Sequence, residues 1–507
     1  MAKKKHYNNK KKEQFIPSVF LFLMLCVYPL YVENGFYSIG IVKNKFFLVV
    51  TISFVVCMLI KIGIDWLSDN YRFNKKEISS TDKWIFGFMA AVLVSFLFSG
   101  YKDMTLWGEN GWYMGCIPFL IMGFSALFVA KFWNGKEWLL YGNMIVSGIT
   151  FLLCICNRFS FYPIPMEPHL EYFVSTLGNI NWFCGYLSVV APLGVGLFLI
   201  SEGKKRIWAG VYTFITFMTA FAQGSESVFL WFGAVLFATL FIAVGKKEWL
   251  ANWFLLLTMW AIAPQFIKIL IWLIPEKFNY SIFGLITSNV TLWVAIIAAF
   301  GYAMTAFVLW KKEYWKEKTV KRIRIGMLVL LGVGVILVIG IFIYHNKVGI
   351  SALEGIALLT WNQDWGNGRG IILETTGNAL KNMSPLQWIF GVGPDGYSSF
   401  VYALPDVSEG LSQYFDGQKL TNSHCEILNN VVNLGIVGTV AYVGLFVNFL
   451  IRCAKYGKKN PMIYVFAIAV IGYFANTLFS FAQVLNIPFL FITLGMGEYY
   501  IQKESNL

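Results

Sequence analysis

Charge is scarce in this chain. Of its 507 residues 13% are Asp, Glu, Lys or Arg, about half the share usual in a soluble domain, while 57% are hydrophobic and the mean hydropathy is +0.62. That balance excludes a soluble globule. Acidic residues are the scarcer sign, 27 against 40 basic ones, but the net charge of +13 does not call for nucleic acid, because basic loops beside anionic lipid headgroups account for it. Paired CxxC motifs are absent, and the eight cysteines fall mostly inside apolar runs, with Cys154 and Cys156 together in one of them. This pattern argues against a disulfide framework and against a metal site, so no metal and no cofactor are expected. Histidine is rarer still. Of the four, His6 lies in a basic tail and His345 ends an apolar run, which leaves His169 and His424 as loop imidazoles.

Long apolar runs are abundant. A helix needs about 17 to 25 apolar residues to cross roughly 30 Å of hydrocarbon, and windows of that length recur about fourteen times. They lie near 15–32, 46–66, 84–100, 116–133, 139–157, 181–202, 207–223, 227–245, 250–274, 290–310, 325–345, 427–451, 461–479 and 483–501. Pro264 and Lys268 interrupt the ninth. The fold class expected is therefore all-α, a polytopic integral membrane bundle. The first run is long enough to span and lacks a small-x-small exit, so it is expected to remain as a helix instead of being cleaved as a signal peptide.

Lysine and arginine set the expected orientation. With the N-terminus inside, the alternate segments that face the cytoplasm hold 29 of them and the outer segments ten. The resulting map is a basic cytoplasmic tail at 1–14, helices 1 to 11 over 15–345, a large extracytoplasmic loop at 346–423, helices 12 to 14 over 424–501, and a cytoplasmic tail at 502–507. A multi-pass protein of the cell membrane follows, with both termini inside.

The outer loop is where chemistry is expected, because long connections carry function on a helical scaffold. Its stretch 371–383 has helical spacing and reads as an amphipathic helix lying at the interface, ended by Ser384-Pro385. Gly391-Val392-Gly393-Pro394-Asp395-Gly396 matches GxGxxG, but no βαβ unit surrounds it and Pro394 removes a backbone donor, so it reads as a tight turn. Arg369, flanked by glycines in Asn367-Gly368-Arg369-Gly370, offers a planar fork suited to phosphate oxygens, or equally to Asp364 and lipid headgroups. His424 stands where the loop becomes helix. Its neutral imidazole suits removal of a proton from a hydroxyl, with Glu426 or Asn422 in place to orient it, or else it caps the helix.

These segments together resemble the O-antigen ligase and polymerase superfamily. The resemblance rests on Asn367 to Gly370, on Gly391 to Tyr397, on Ser423-His424-Cys425-Glu426-Ile427-Leu428 and on Gly435-Ile436-Val437-Gly438, in that order. An earlier segment, Gly178-Asn179-Ile180-Asn181-Trp182-Phe183-Cys184-Gly185-Tyr186-Leu187 followed by Pro192, is similar to the family's GN-x-N pattern. The resemblance implies a GT-C-like membrane glycosyltransferase, metal-independent and inverting. It would move a polyprenyl-diphosphate-linked glycan onto an acceptor hydroxyl of a glycan or lipid. Carried over, His424 becomes the base and Arg369 a diphosphate ligand, with Arg158 a second phosphate candidate and Asn179 and Asn181 in the matching segment substrate-binding. Beside the resemblance, Glu426 is expected to be catalytic and Asn422 and Glu226 substrate-binding.

Three positions depart from the family pattern. Cys425 stands where Asn is common, Glu226 in Ser225-Glu226-Ser227 replaces an arginine, and Trp112 occupies another frequent arginine position. Glu226 would then bind sugar hydroxyls, and Trp107, Trp112, Trp361, Trp365 and Trp388 would stack on sugar rings or form an interfacial belt. The competing class is a transporter or flippase of lipid-linked sugars. Such folds often show repeated halves, and none is visible here.

Overall fold

The structure, a computed structural model, describes residues 15–68, 78–275, 288–310, 315–404, 411, 414–415 and 417–505. The basic tail at 1–14 lies outside the described residues, as do 506 and 507 of the C-terminal tail.

Helices dominate because the long apolar runs must satisfy their own backbone hydrogen bonds. In chain order they are α1 Phe15–Leu30, α2 Ile39–Leu67, α3 Ser80–Phe98, α4 Lys102–Trp107, α5 Cys116–Phe132, α6 Trp138–Arg158, α7 Ile180–Ile200, α8 Gly203–Ala222 and α9 Ser227–Ala243. There follow α10 Lys247–Leu273, α11 Val290–Trp310, α12 Glu317–Val348, α13 Trp365–Lys381, α14 Pro385–Phe390, α15 Tyr397–Tyr402, α16 Glu426–Tyr456, α17 Met462–Asn476 and α18 Ile487–Ser505. One short antiparallel pair, β1 Phe173–Val174 and β2 Gly178–Asn179, precedes α7. Among the described residues eight helices are long and apolar enough to cross a membrane: α2, α3, α6, α7, α10, α11, α12 and α16. Four shorter apolar helices, α1, α5, α9 and α17, accompany them. The run broken in sequence by Pro264 is one continuous helix, α10, with that proline inside it.

Capping residues set where several elements start. Ser79 and Asp82 form a reciprocal box at the head of α3, and Ser384 with Gln387 does the same for α14, where Pro385 takes the first position. Enclosure differs sharply between helices. In α7, 94% of the apolar window is buried, so it is the core of the bundle, whereas none of the corresponding window of α12 is buried.

One end of the bundle gathers the starts of α7, α9 and α16 with the ends of α6, α8 and α17. The hydroxyl of Ser225 donates to Asn181 at 2.6 Å, and the Glu426 N–H donates to the Thr477 carbonyl at 3.0 Å. The opposite end is closed by ion pairs on buried carboxylates, Lys131 to Asp82 at 3.0 Å and Arg452 to Glu498 at 2.9 Å.

A second, smaller core sits beside the first end, built from Ile372, Ala379, Met383, Tyr397, Phe400 and Val432 among others. The expected helix over 371–383 forms as far as Lys381, but its apolar face packs into this core instead of lying on lipid. The helix that turns Leu386 and Ile389 outward is α14. The GxGxxG match is a turn, with Gly391 and Gly393 at φ +80° and +116° and Asp395 at +61°. It docks against α16, where Val392 and Gly393 donate to the Val432 and Asn433 carbonyls at 2.9 Å each. Gly435, at φ +67°, breaks α16 at that point. A Cβ on Gly435 would run into the Ile389 carbonyl and the Gly391 nitrogen, so only glycine fits this approach.

Candidate functional site

The turn before α16 presents His424. Asn422 Oδ1 accepts the His424 main-chain N–H at 3.0 Å, Asn429 Oδ1 accepts the Ser423 N–H at 3.2 Å, and the Ser423 hydroxyl donates to the Cys425 carbonyl at 2.8 Å. These bonds hold His424 at φ +51°, a left-handed conformation uncommon outside glycine. Such conformations persist where the surroundings over-determine them. The imidazole is half-buried and meets the Phe481 ring nearly edge-on, at 5.3 Å and 70°. Neither ring nitrogen has a hydrogen-bond partner among the described residues. Burial, and then the positive charge of Arg369, push the imidazole down from 6.5 to about 4. It is therefore neutral at pH 7.

Arg369 is set by the backbone that precedes it. Gly366, Asn367 and Gly368 all adopt left-handed conformations, so regular helix starts at Arg369, and Gly370 beyond it approaches the Asn362 carbonyl too closely for any side chain. Nη1 donates to the Gly366 carbonyl at 2.9 Å, and the guanidinium lies 5.9 Å from the centre of the Phe479 ring. Its Nε is buried without an acceptor among the described residues. Burial lowers its pKa, while Glu226 and Cys184 raise it. Arg369 thus shares one neighbourhood with His424, Glu226 and Cys184, which come from three separate helix starts. No direct ion pair joins Arg369 to Glu226, which is exposed.

A polar chain runs along the wall of this region. Asn179 caps α7 by accepting the Asn181 N–H at 2.9 Å. Asn181 Oδ1 accepts from Ser225, whose hydroxyl lies 2.9 Å from that of Ser227. Ser227 reaches Cys184 Sγ at 3.3 Å, and the thiol donates to Asn476 Oδ1 at 3.6 Å. Asn476 is fully buried and its Nδ2 lacks a partner among the described residues.

Two residues assigned from sequence have other occupations here. Arg158 is buried and donates to two main-chain carbonyls, that of Glu171 at 2.5 Å and that of Gln223. It ties the end of α6 to the end of α8 and to the segment before β1. Glu426 is fully buried and accepts from Tyr473 at 2.7 Å and from Tyr442. Its carboxylate is held by two phenols and does not orient the imidazole. Asn422 meets the His424 main chain, not its ring. The second loop histidine, His169, stacks on Tyr162 at 3.8 Å.

Sequence reasoning missed Asp395, Trp182 and Phe481. The buried Asp395 carboxylate accepts the Glu109 and Met114 N–H groups at 2.7 and 3.1 Å, fastening the 108–114 loop to the glycine turn. Burial raises it from 3.8 to about 7 despite those two donors. That loop carries Trp112, whose indole N–H donates to Thr421 Oγ1 at 2.7 Å, three residues before His424. Trp182 stands inside the GN-x-N segment with no role read for it, and nothing local sets Phe481 apart; the fold places both beside Trp112.

No family model matches this chain, and no curated protein matches it.

Proposed function

We propose that the protein is a membrane glycosyltransferase that moves a polyprenyl-diphosphate-linked glycan onto an acceptor hydroxyl, in the assembly of a surface polysaccharide. The observation that carries this reading is that Arg369 lies over Phe479 and His424 lies against Phe481, two residues further on, with Glu226 and the Cys184–Asn476 chain at neighbouring helix starts. Helix starts carry partial positive charge, so three of them near one arginine favour an anionic diphosphate. Donors placed in this way stabilise a departing anion by about 3 kcal/mol each in an enclosed site.

In the reaction the acceptor oxygen attacks the anomeric carbon as the bond from that carbon to the diphosphate oxygen breaks. The hydroxyl proton passes to a ring nitrogen of His424, and the diphosphate leaves with the negative charge beside Arg369. A single displacement inverts the anomeric centre. An imidazole near 4 is a weak base, but a bound diphosphate offsets the Arg369 charge and raises it toward a useful value. An apolar groove of about 620 Å³ supports a lipid-linked donor. Phe229, Gly233 and Phe237 of α9 line it together with Leu328, Leu450 and Ala467, and it begins one turn from Ser227.

In the full reading the chain crosses the membrane about fourteen times, with 1–14 and 502–507 cytoplasmic and 346–423 together with the site on the outer face. The charge distribution supports that orientation. The test is purified protein in detergent with a polyprenyl-diphosphate-linked glycan and a hydroxyl acceptor. Glycan transfer without a bilayer supports the transferase; no transfer, with the protein moving the same lipid across vesicles, identifies a flippase.

A further inference from the structure

Beside His424 runs a row of aromatic rings. Phe481 lies 4.8 Å from Trp112 at 87°, Trp112 lies 5.5 Å from Trp182 at 85°, and Trp182 lies 5.9 Å from Phe173 at 79°. Trp112 and Trp182 are each half-buried, Trp182 packing against the bundle core on one side. Of the other tryptophans named from sequence, Trp361 packs on Phe342 of α12, Trp365 packs on Phe342 and on Phe479, the ring under Arg369, and Trp107 and Trp388 are exposed on α4 and α14.

The two indoles differ in how they are held. The Trp112 N–H is bound to Thr421, and its main-chain carbonyl accepts the Val484 N–H at 3.0 Å, so the ring is fixed. Trp182 sits against Gly178, where even a Cβ would come within 3.0 Å of the six-membered ring; only glycine lets the indole lie there. Its own N–H has no partner among the described residues and is not buried. Asn181, next in the chain, uses its carbonyl oxygen for Ser225 and has no partner for its amide Nδ2 among those residues. Rigid rings that are partly accessible, with spare donors beside them, suit a saccharide. A pyranose presents C–H bonds on its faces, whose positive ends are attracted to the negative face of an indole, and hydroxyls on its rim.

We propose that Trp182, with Trp112 and Asn181, forms a saccharide subsite beside His424 that positions the acceptor sugar. This rests on the transferase reading for the word acceptor, but saccharide binding as such does not. It assigns the two sides of the site: the diphosphate on the Arg369 side, the acceptor on the aromatic side. Trp182 is then a specificity-determining residue, and the free indole N–H and the Asn181 amide meet sugar hydroxyls.

The experiment compares wild type with Trp182→Leu, Trp182→Phe and Asn181→Ala in two assays. In transfer kinetics, Trp182→Leu is expected to raise the acceptor KM about tenfold or more with donor KM and kcat near wild type, and Trp182→Phe to fall between. In saturation-transfer NMR, the probe is the oligosaccharide repeat released by mild acid from the surface polysaccharide of the source cells. Its C–H protons are expected to take up saturation from the wild type and to lose most of it with Trp182→Leu. Equal acceptor KM and equal saturation transfer in Trp182→Leu would overturn the subsite, as would a parallel loss in kcat and both KM values, which marks a structural wedge. Saturation transfer that depends on Trp182 in a protein that transfers no glycan leaves the subsite standing and removes the transferase reading instead.

Discussion

The guanidinium of Arg369 acts electrostatically on the imidazole of His424, adding to burial to hold that ring at about 4. The two residues lie 55 positions apart, on α13 and in the turn before α16, and the same guanidinium is drawn to Glu226 on a third element. An anion placed between the two would offset the Arg369 charge and raise the imidazole.

Removing that cation should release the imidazole. With Arg369→Gln, His424 is expected to titrate higher than in the wild type but still below 6.5, since burial is the larger cause. Nitrogen-15 histidine NMR in detergent reads this directly, with His424→Gln identifying the resonance. An unchanged midpoint near 4 would show that the two groups do not feel each other.

The pH dependence follows with its sign. Folding favours the neutral imidazole, so its contribution to stability is full above 6.5 and is lost as pH falls through about 4. For activity, the acid limb of kcat/KM reports the free protein and is expected near 4. The limb of kcat is expected at higher pH, because bound diphosphate raises the imidazole. A kcat/KM limb at 6.5 would mean that His424 is solvated and not under the influence of Arg369.

Asp395 supplies the opposite sign. Its carboxyl is raised from 3.8 to about 7, so its stabilising contribution is full below 3.8 and declines as pH rises through about 7. Thermal unfolding between pH 4 and 8 should therefore show a smaller decline for Asp395→Asn than for the wild type, the difference being at most a few kcal/mol. Identical slopes would contradict the burial of this carboxylate under the 108–114 loop.

Arg158 should behave as structure. Its two bonds to the Glu171 and Gln223 carbonyls are charge-assisted, worth about 1.5 to 3 kcal/mol each, so Arg158→Ala is expected to lower the melting temperature clearly. Donor KM of the folded fraction should stay near wild type. A raised donor KM at unchanged melting temperature would return Arg158 to the phosphate site.

Much of this was legible in the sequence, for identifiable reasons. Helices announce themselves when an apolar run is longer than any soluble strand, which is why α2, α7 and α16 sit where their windows fall. Arg369 and His424 stood out because charged or titratable residues flanked by glycine or polar neighbours are rare in such a chain. Partners in space were not legible. Glu426 lies two residues from His424 but its carboxylate meets Tyr442 and Tyr473, 16 and 47 positions onward, because the first turn of α16 directs it into the bundle. Asp395 read as one more turn residue, and nothing local signals that its oxygens close a loop 286 and 281 positions earlier. The amphipathic spacing of 371–383 was correct, but spacing alone does not distinguish lipid from a second protein core.

The central claim, that His424 takes the acceptor proton in a glycan transfer, is tested most directly by single-turnover transfer from a polyprenyl-diphosphate-linked glycan with wild type and His424→Ala, at equal folded protein and saturating substrates. The account predicts product with inverted anomeric configuration from the wild type and a loss of about 10²-fold or more in His424→Ala, the usual worth of a positioned general base. A rate for His424→Ala within twofold of wild type would contradict it.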